Sequence, residues 1–423
     1  MRQTRETMIL LVPDSDPNRR RSTSPRTATQ DQVRREEQIT LMPSAPASAA
    51  APSEAVATRS AVARGGMALR VPALAFGAVA MLAGLCGGMW RIGWTPPHGA
   101  SLAAVHGPLL VSGLFGTLIG LERAVALGQR WAHAAPLLSG VGTLALLAGA
   151  PTYIGAGLYA GASSALAAAS LSIAAQQPAL FTGTLVSGAL AWMVGNILWM
   201  MADSVPDVIG WWLAFLILTI AAERLELSRV LLAKWGSQAT FVVAVGLMGA
   251  GAHNRLTTIS GALLFGTGLL TLTTWLLRHD IALPNIRRVG QTRFMAVSML
   301  SGYLWAGCAG AMLIASAVET SVFGYDAVLH ALLIGFVFSM VFGHALIILP
   351  AVARLRIAYT PFLYGPLVLL HASVALRVLG DVLQWQAARQ WSGVVTLLAL
   401  SGFVLCIGST ARRRARRQFP TGA

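Results

Sequence analysis

The chain has 423 residues, is 55% hydrophobic and only 11% charged, and carries a formal net charge of +15. So apolar a composition excludes an ordinary soluble domain. Within the apolar part of the chain Arg gathers in one set of loops and in the C-terminal tail, which points to a bilayer surface and away from nucleic acid as the partner.

In chain order, residues 1–65 come first. They are rich in Ser, Pro, Ala, Thr and Arg, lack a sustained apolar run, and are expected to form a disordered cytoplasmic tail. They do not read as a signal peptide, because no apolar core follows a short basic segment. Met67, just ahead of the first apolar run, offers an alternative start. From 66 to 411, apolar runs of about 20 residues recur, the length a helix needs to cross about 30 Å of hydrocarbon. Twelve spans are expected, near 70–90, 101–121, 134–150, 153–175, 178–200, 208–223, 237–252, 256–276, 294–317, 327–350, 362–380 and 391–411. The fold class is therefore all-α, a polytopic membrane helical bundle. Residues 412–423 form a basic tail with Arg412, Arg413, Arg414, Arg416 and Arg417.

Alternate loops differ in charge. One set holds Arg123, Arg130, Arg224, Arg229, Lys234, Arg278, Arg287, Arg288, Arg293, Arg354 and Arg356. The other holds Asp203, Asp207, Glu319, Asp326 and Asp381. The bundle thus has a basic end and an acidic end. Cations gather on the cytoplasmic side of membrane proteins. Both termini are therefore expected to be cytoplasmic, in a multi-pass protein of a bacterial-type inner (plasma) membrane.

Three segments share one pattern. His106-Gly-Pro-Leu-Leu-Val begins a run ending at Glu122-Arg123, and Asp207-Val-Ile-Gly-Trp-Trp begins one ending at Glu223-Arg224. His330-Ala-Leu-Leu-Ile-Gly begins a third, which closes on Gly343-His344. The two Glu-Arg pairs are 101 residues apart. The period suggests three arcs of four helices, near 70–175, 178–278 and 294–411, in which the second helix of each arc is equivalent.

Ionisable groups inside a bilayer are costly and usually face the bundle interior. His106 and His330 stand at matching helix starts near the acidic end, where two imidazoles from neighbouring arcs can meet on one metal ion. His98 lies eight residues ahead of His106 and is a further candidate ligand, although a hydrogen-bonded loop histidine explains it better. His344 lies about 21 Å along the helix from His330, too far to share its metal. It can serve a second site or pair with a carboxylate such as Glu122 or Glu223. His371, in mid-span, requires a partner, either a metal or a hydroxyl. Glu122, Arg123, Glu223 and Arg224 are read as a polar network at the basic interface. His133, His253 and His279 are read as ordinary interfacial residues, and Cys86, Cys308 and Cys406 as small buried hydrophobes.

His106-Gly-Pro-Leu-Leu-Val-Ser-Gly resembles the opening of the second helix of haem–copper oxidase subunit I, where a histidine holds the low-spin haem. Leu329-His-Ala-Leu-Leu-Ile-Gly-Phe-Val-Phe-Ser-Met-Val-Phe-Gly-His344 is similar to the late histidine-bearing helix of the NnrS family, twelve-span membrane proteins linked to nitric oxide. These resemblances imply a subunit I-like fold, haem held by His106 and His330, copper as a second metal, and a redox partner or nitric oxide as the reactant. They do not extend to dioxygen reduction. The sixth span carries Trp211 and Trp212 where such an oxidase has a copper histidine, and the seventh lacks an adjacent histidine pair. A transporter of a small molecule or ion, without cofactor, is the competing expectation from the repeats and the Gly-rich spans.

Overall fold

The computed structural model describes residues 53–201, 204–228, 235–316, 322–353 and 357–418. The topology signals Asp203, Arg229, Lys234, Glu319, Arg354 and Arg356 lie outside the described residues. The chain divides into two units, Met1–Ser60 and Ala61–Ala423. Of the first, residues 53–60 are described, as the opening of a helix. The second unit holds the helical bundle.

No strand occurs among the described residues, and twelve helices carry the fold. They are α1 (Ser53–Arg91), α2 (His106–Leu127), α3 (Ala134–Leu147), α4 (Thr152–Gln176), α5 (Leu180–Met200) and α6 (Val205–Ser228). They continue with α7 (Trp235–His253), α8 (Ile259–His279), α9 (Gly290–Ser316), α10 (Gly324–Ala353), α11 (Tyr364–Val382) and α12 (Gln386–Gln418). Among the described residues, ten helices are long and apolar enough to cross a membrane. The other two expected spans do form helices. However, α3 has only 14 residues, and the first turn of α7 is diluted by Gly, Ser and Gln. Two boundaries differ from expectation. Helix α1 begins at Ser53, inside the segment expected to be disordered, and α12 continues to Gln418, through most of the basic tail.

Helix ends follow local chemistry. Helix α2 stops where Gly128 adopts φ 71 and its N–H reaches the Ala124 carbonyl, a left-handed cap that a side chain would strain. Helix α8 starts where the Thr258 hydroxyl accepts from the Gly261 N–H at 3.1 Å. Elsewhere small residues set helix spacing. A Cβ on Gly116 would lie 2.3 Å from the Trp192 ring, and one on Gly140 would lie 2.1 Å from Phe76. In lipid no hydrophobic force drives helices together, so this close approach supplies the packing.

Helices adjacent in sequence pack side by side from α2 to α12. Helix α12 also returns to the end of α1: Gln386 donates to the Ile92 carbonyl at 3.1 Å, and Trp94 donates to the Gln390 carbonyl at 3.0 Å. Three helices are more deeply placed than the rest. In their most apolar windows, 61% of α2, 78% of α6 and 67% of α10 is buried, and no other membrane-length helix exceeds 56%. These three touch one another. Arg123 of α2 meets Glu223 of α6 at 2.8 Å, Arg224 of α6 meets His344 of α10 at 2.6 Å, and Phe115 of α2 meets Phe338 of α10 at 5.3 Å between ring centroids. The second helix of each expected four-helix arc is therefore an inner helix.

Candidate functional site

Two of the inner helices share an irregularity. In α2 the residues directly after His106-Gly-Pro are wound as a π-helix, Leu109–Phe115. In α10 the residues directly after His330 are wound the same way, Ala331–Phe338. Such segments concentrate at functional sites, because the wider turn re-aims neighbouring side chains. Each contains a glycine at a tight helix contact: Gly113 faces Thr143 and Ala80, and Gly335 faces Trp305. The third inner helix, α6, is a regular α-helix and has Asp207 at the matching position. His106 opens α2 as expected. His330 does not open α10, which begins more than a turn earlier, so this histidine is carried within a helix.

The two imidazoles have the same anchorage. His106 donates from Nδ1 to the Ala103 carbonyl at 2.9 Å, and His330 donates from Nδ1 to the Asp326 carbonyl at 2.8 Å. A carbonyl can only accept, so in the neutral ring each Nε2 is left with a lone pair. Among the described residues, neither Nε2 takes part in a hydrogen bond. The two rings lie within electrostatic reach of each other. The His330 side chain is about three-quarters buried, with 26% of its surface accessible. The Tyr325 hydroxyl, buried and without a hydrogen-bond partner among the described residues, belongs to the residue next to Asp326. His98 stands apart. It is exposed, its backbone is left-handed at φ 58, and no described contact joins it to His106 or His330.

Beside His330 lies an ionic network that the linear sequence did not reveal. Asp326 pairs with Arg377 and, at 3.3 Å, with Arg389. Asp381 pairs with Arg377 at 3.0 Å and Arg389 at 2.6 Å. Asp381 is fully buried and Arg377 nearly so. The overlooked signal was Arg377 itself, an arginine four residues from an aspartate inside an apolar run. Asp326, His330 and Asp381 each offer a ligand atom within 4.8 Å of one another, the spacing of a small-cation site. Both carboxylates are already matched by a guanidinium, however, so the group has no net negative charge to draw a cation.

At the basic end the four expected network residues divide between two clusters. Arg123 bridges Glu122 at 3.3 Å and Glu223 at 2.8 Å, which ties α2 to α6. Arg224 turns the other way. It donates to Nε2 of His344 at 2.6 Å and to the Met299 sulfur at 3.5 Å. Arginine only donates, so His344 carries its proton on Nδ1, which donates to the Met340 carbonyl at 2.7 Å. Both nitrogens of His344 are thus engaged. Its partner is an arginine, where a carboxylate or a second metal was expected. Asp280 lies nearby, held by the Tyr303 hydroxyl and, at 2.8 Å, by the Ala282 N–H.

His371 accepts the Trp305 indole N–H at Nδ1, 3.1 Å, and its proton-bearing Nε2 is buried without a partner. An indole thus stands where a metal or a hydroxyl was expected. Of the interfacial histidines, His253 is exposed, and His279 stacks on Trp275. His133 differs from expectation: it is 7% exposed, and neither ring nitrogen has a hydrogen bond. The three cysteines are half-buried and free.

A second unanticipated feature is a fully paired polar core on α2 to α6. The Asn196 amide oxygen accepts from Ser112 at 3.0 Å and Trp212 at 3.1 Å, while its nitrogen donates to the Tyr159 carbonyl at 3.1 Å. Trp192 donates to Ser112 at 2.9 Å. Every one of these side chains is fully buried. With each donor matched, the network reads as a packing lock on four helices.

The chain belongs to the family described as Domain of unknown function (DUF8744), which matches residues 70–412. No curated protein and no solved structure matches it.

Proposed function

We propose that this chain is a haem-binding membrane protein of NnrS-like type, in a haem–copper oxidase subunit I-like arrangement, in which His106 and His330 would hold the iron. The observation that carries this reading is the pair of equivalent imidazoles on adjacent inner helices, each tied through Nδ1 to a backbone carbonyl and each with Nε2 unengaged. A metal-bound histidine is usually held this way, its other ring N–H donating to a carbonyl that fixes tautomer and ring direction. The donor set fits haem iron, which takes two neutral imidazoles, and equally fits copper. Haem would supply one-electron chemistry, for electron transfer or for handling nitric oxide. The chain's own part is to hold the two rings and, through the Asp326–Arg377–Asp381–Arg389 network, to fix α10, α11 and α12 around His330 without adding net charge. His344 has no free nitrogen for a metal while Arg224 stays in place, and His98 and His371 are outside the proposed pair.

A second reading, transport of a small molecule or ion, is favoured by a different observation. Charged groups stand within different inner helices, Asp326 beside His330 on α10 and Arg123 with Glu223 between α2 and α6. Charged linings of this kind mark transport pathways.

The full chain, purified in detergent from cells supplied with haem precursor, is expected to show a Soret band. The band should vanish in His106→Ala and in His330→Ala and persist in His98→Ala. A colourless wild-type preparation containing no iron or copper would overturn the haem reading in favour of transport.

A further inference from the structure

A groove of about 1080 Å³ lies between α7 and α8 at the basic end. Its floor is fixed by three residues. Trp275 donates its indole N–H to the carbonyl and hydroxyl of Ser237, at 2.9 and 3.0 Å. His279 donates from Nδ1 to the Trp275 carbonyl at 2.9 Å, accepts the Ser237 hydroxyl at 3.0 Å, and stacks on the Trp275 ring at 4.7 Å. The walls carry Thr240 and Thr274, whose hydroxyl protons go to the Gly236 and Leu270 carbonyls at 3.0 and 2.8 Å. Their oxygens are therefore left as acceptors. Arg278 stands at the mouth, exposed and with no acceptor among the described residues. Among the described residues, no carboxylate lines the groove.

The surroundings place this groove at the level of lipid headgroups. Trp235, 84% exposed at the start of α7, has the amphipathic ring of an interfacial anchor. Beside the groove the same two helices expose Val242, Val243 and Leu277, an apolar flank for acyl chains. We infer that the groove holds the headgroup of an anionic phospholipid of the phosphatidylglycerol class. The phosphate pairs with the Arg278 guanidinium, whose planar donors match its oxygens. The glycerol hydroxyls donate to the Thr240 and Thr274 oxygens. A choline headgroup brings no hydroxyl donor and sets a second cation against Arg278, so it is disfavoured. This site is independent of any cofactor at the acidic end.

The test uses the full chain in detergent, with phosphatidylglycerol and phosphatidylcholine as probes and native mass spectrometry to count bound lipid. Wild type is expected to retain phosphatidylglycerol preferentially. Arg278→Gln should weaken that retention by about fivefold, the effect of one cation near a membrane surface. Thr274→Val, which keeps the charge, should also lower it. Arg287→Gln, at the same end but outside the groove, should match wild type. The inference is overturned if wild type retains both lipids equally, if Arg278→Gln retains as much as wild type, or if Arg278→Gln and Arg287→Gln lose equally. It is also overturned if millimolar inorganic phosphate displaces the lipid, which would mark a site for soluble anions.

Discussion

Arg224 shows how much can depend on one side chain inside an apolar bundle. It is 3% exposed, its Nε has no partner, and its contacts are a neutral imidazole and a thioether. Removing one partner of a buried charge costs more than removing both, because the remaining charge is left unsolvated. His344→Leu is therefore expected to destabilise the protein by about 3–5 kcal/mol. Arg224→Met leaves only a neutral imidazole nitrogen unpaired and should cost about 1–3 kcal/mol. The double variant should recover part of the sum, with a coupling of at least about 1 kcal/mol between the sites. Chemical unfolding in detergent measures all three, and strictly additive losses would show that the contact carries no net coupling.

Among the elements, the inner helices α2, α6 and α10 are held at distances that particular glycines permit. A Cβ at Gly116 would press on the ring of Trp192, which is fully buried and fixed by its hydrogen bond to Ser112. Gly116→Ala should therefore cost about 1–3 kcal/mol, the usual penalty of overpacking. Gly246 in α7 meets nothing within 4 Å, so Gly246→Ala replaces a poor helix former in open space. It should be neutral or stabilise by about 0.5–1 kcal/mol. Melting temperatures of the two variants in one detergent check the contrast, and a stable Gly116→Ala would mean that α2 and α5 have room to part. The π-helical segments belong to this scale too. Two inner helices have one directly after a histidine and the third, with aspartate there, does not.

For the molecule as a whole, the separation of basic and acidic loops makes a topological prediction. Asn254, in the loop between α7 and α8, belongs to the acidic end, and Asn285, between α8 and α9, to the basic end. In a cysteine-free background, Asn254→Cys should react with a membrane-impermeant thiol reagent in intact spheroplasts. Asn285→Cys should react only after the membrane is opened. The opposite pattern would invert the orientation expected from the Arg distribution. Both outcomes leave the helical architecture unchanged, since loop charge directs insertion and not packing.

That the chain is all-helical with many membrane-length apolar helices, and the approximate limits of those helices, could be read from residue order. They depend on the length and composition of apolar runs, which are local properties of the chain. His106 and His330 were visible for the same reason, as ionisable groups in apolar segments. Their partners were not. Which acceptor holds Nδ1, that Arg224 reaches His344 across 120 residues of sequence, and that Arg377 and Arg389 neutralise Asp326 and Asp381 are all properties of neighbouring helices. Asn196, Ser112 and Trp212 look like scattered polar or aromatic residues in their own spans and become one network only when four helices converge. Inside a bilayer each buried polar group must find its partner within the protein, and helix packing alone decides which group is close enough to serve.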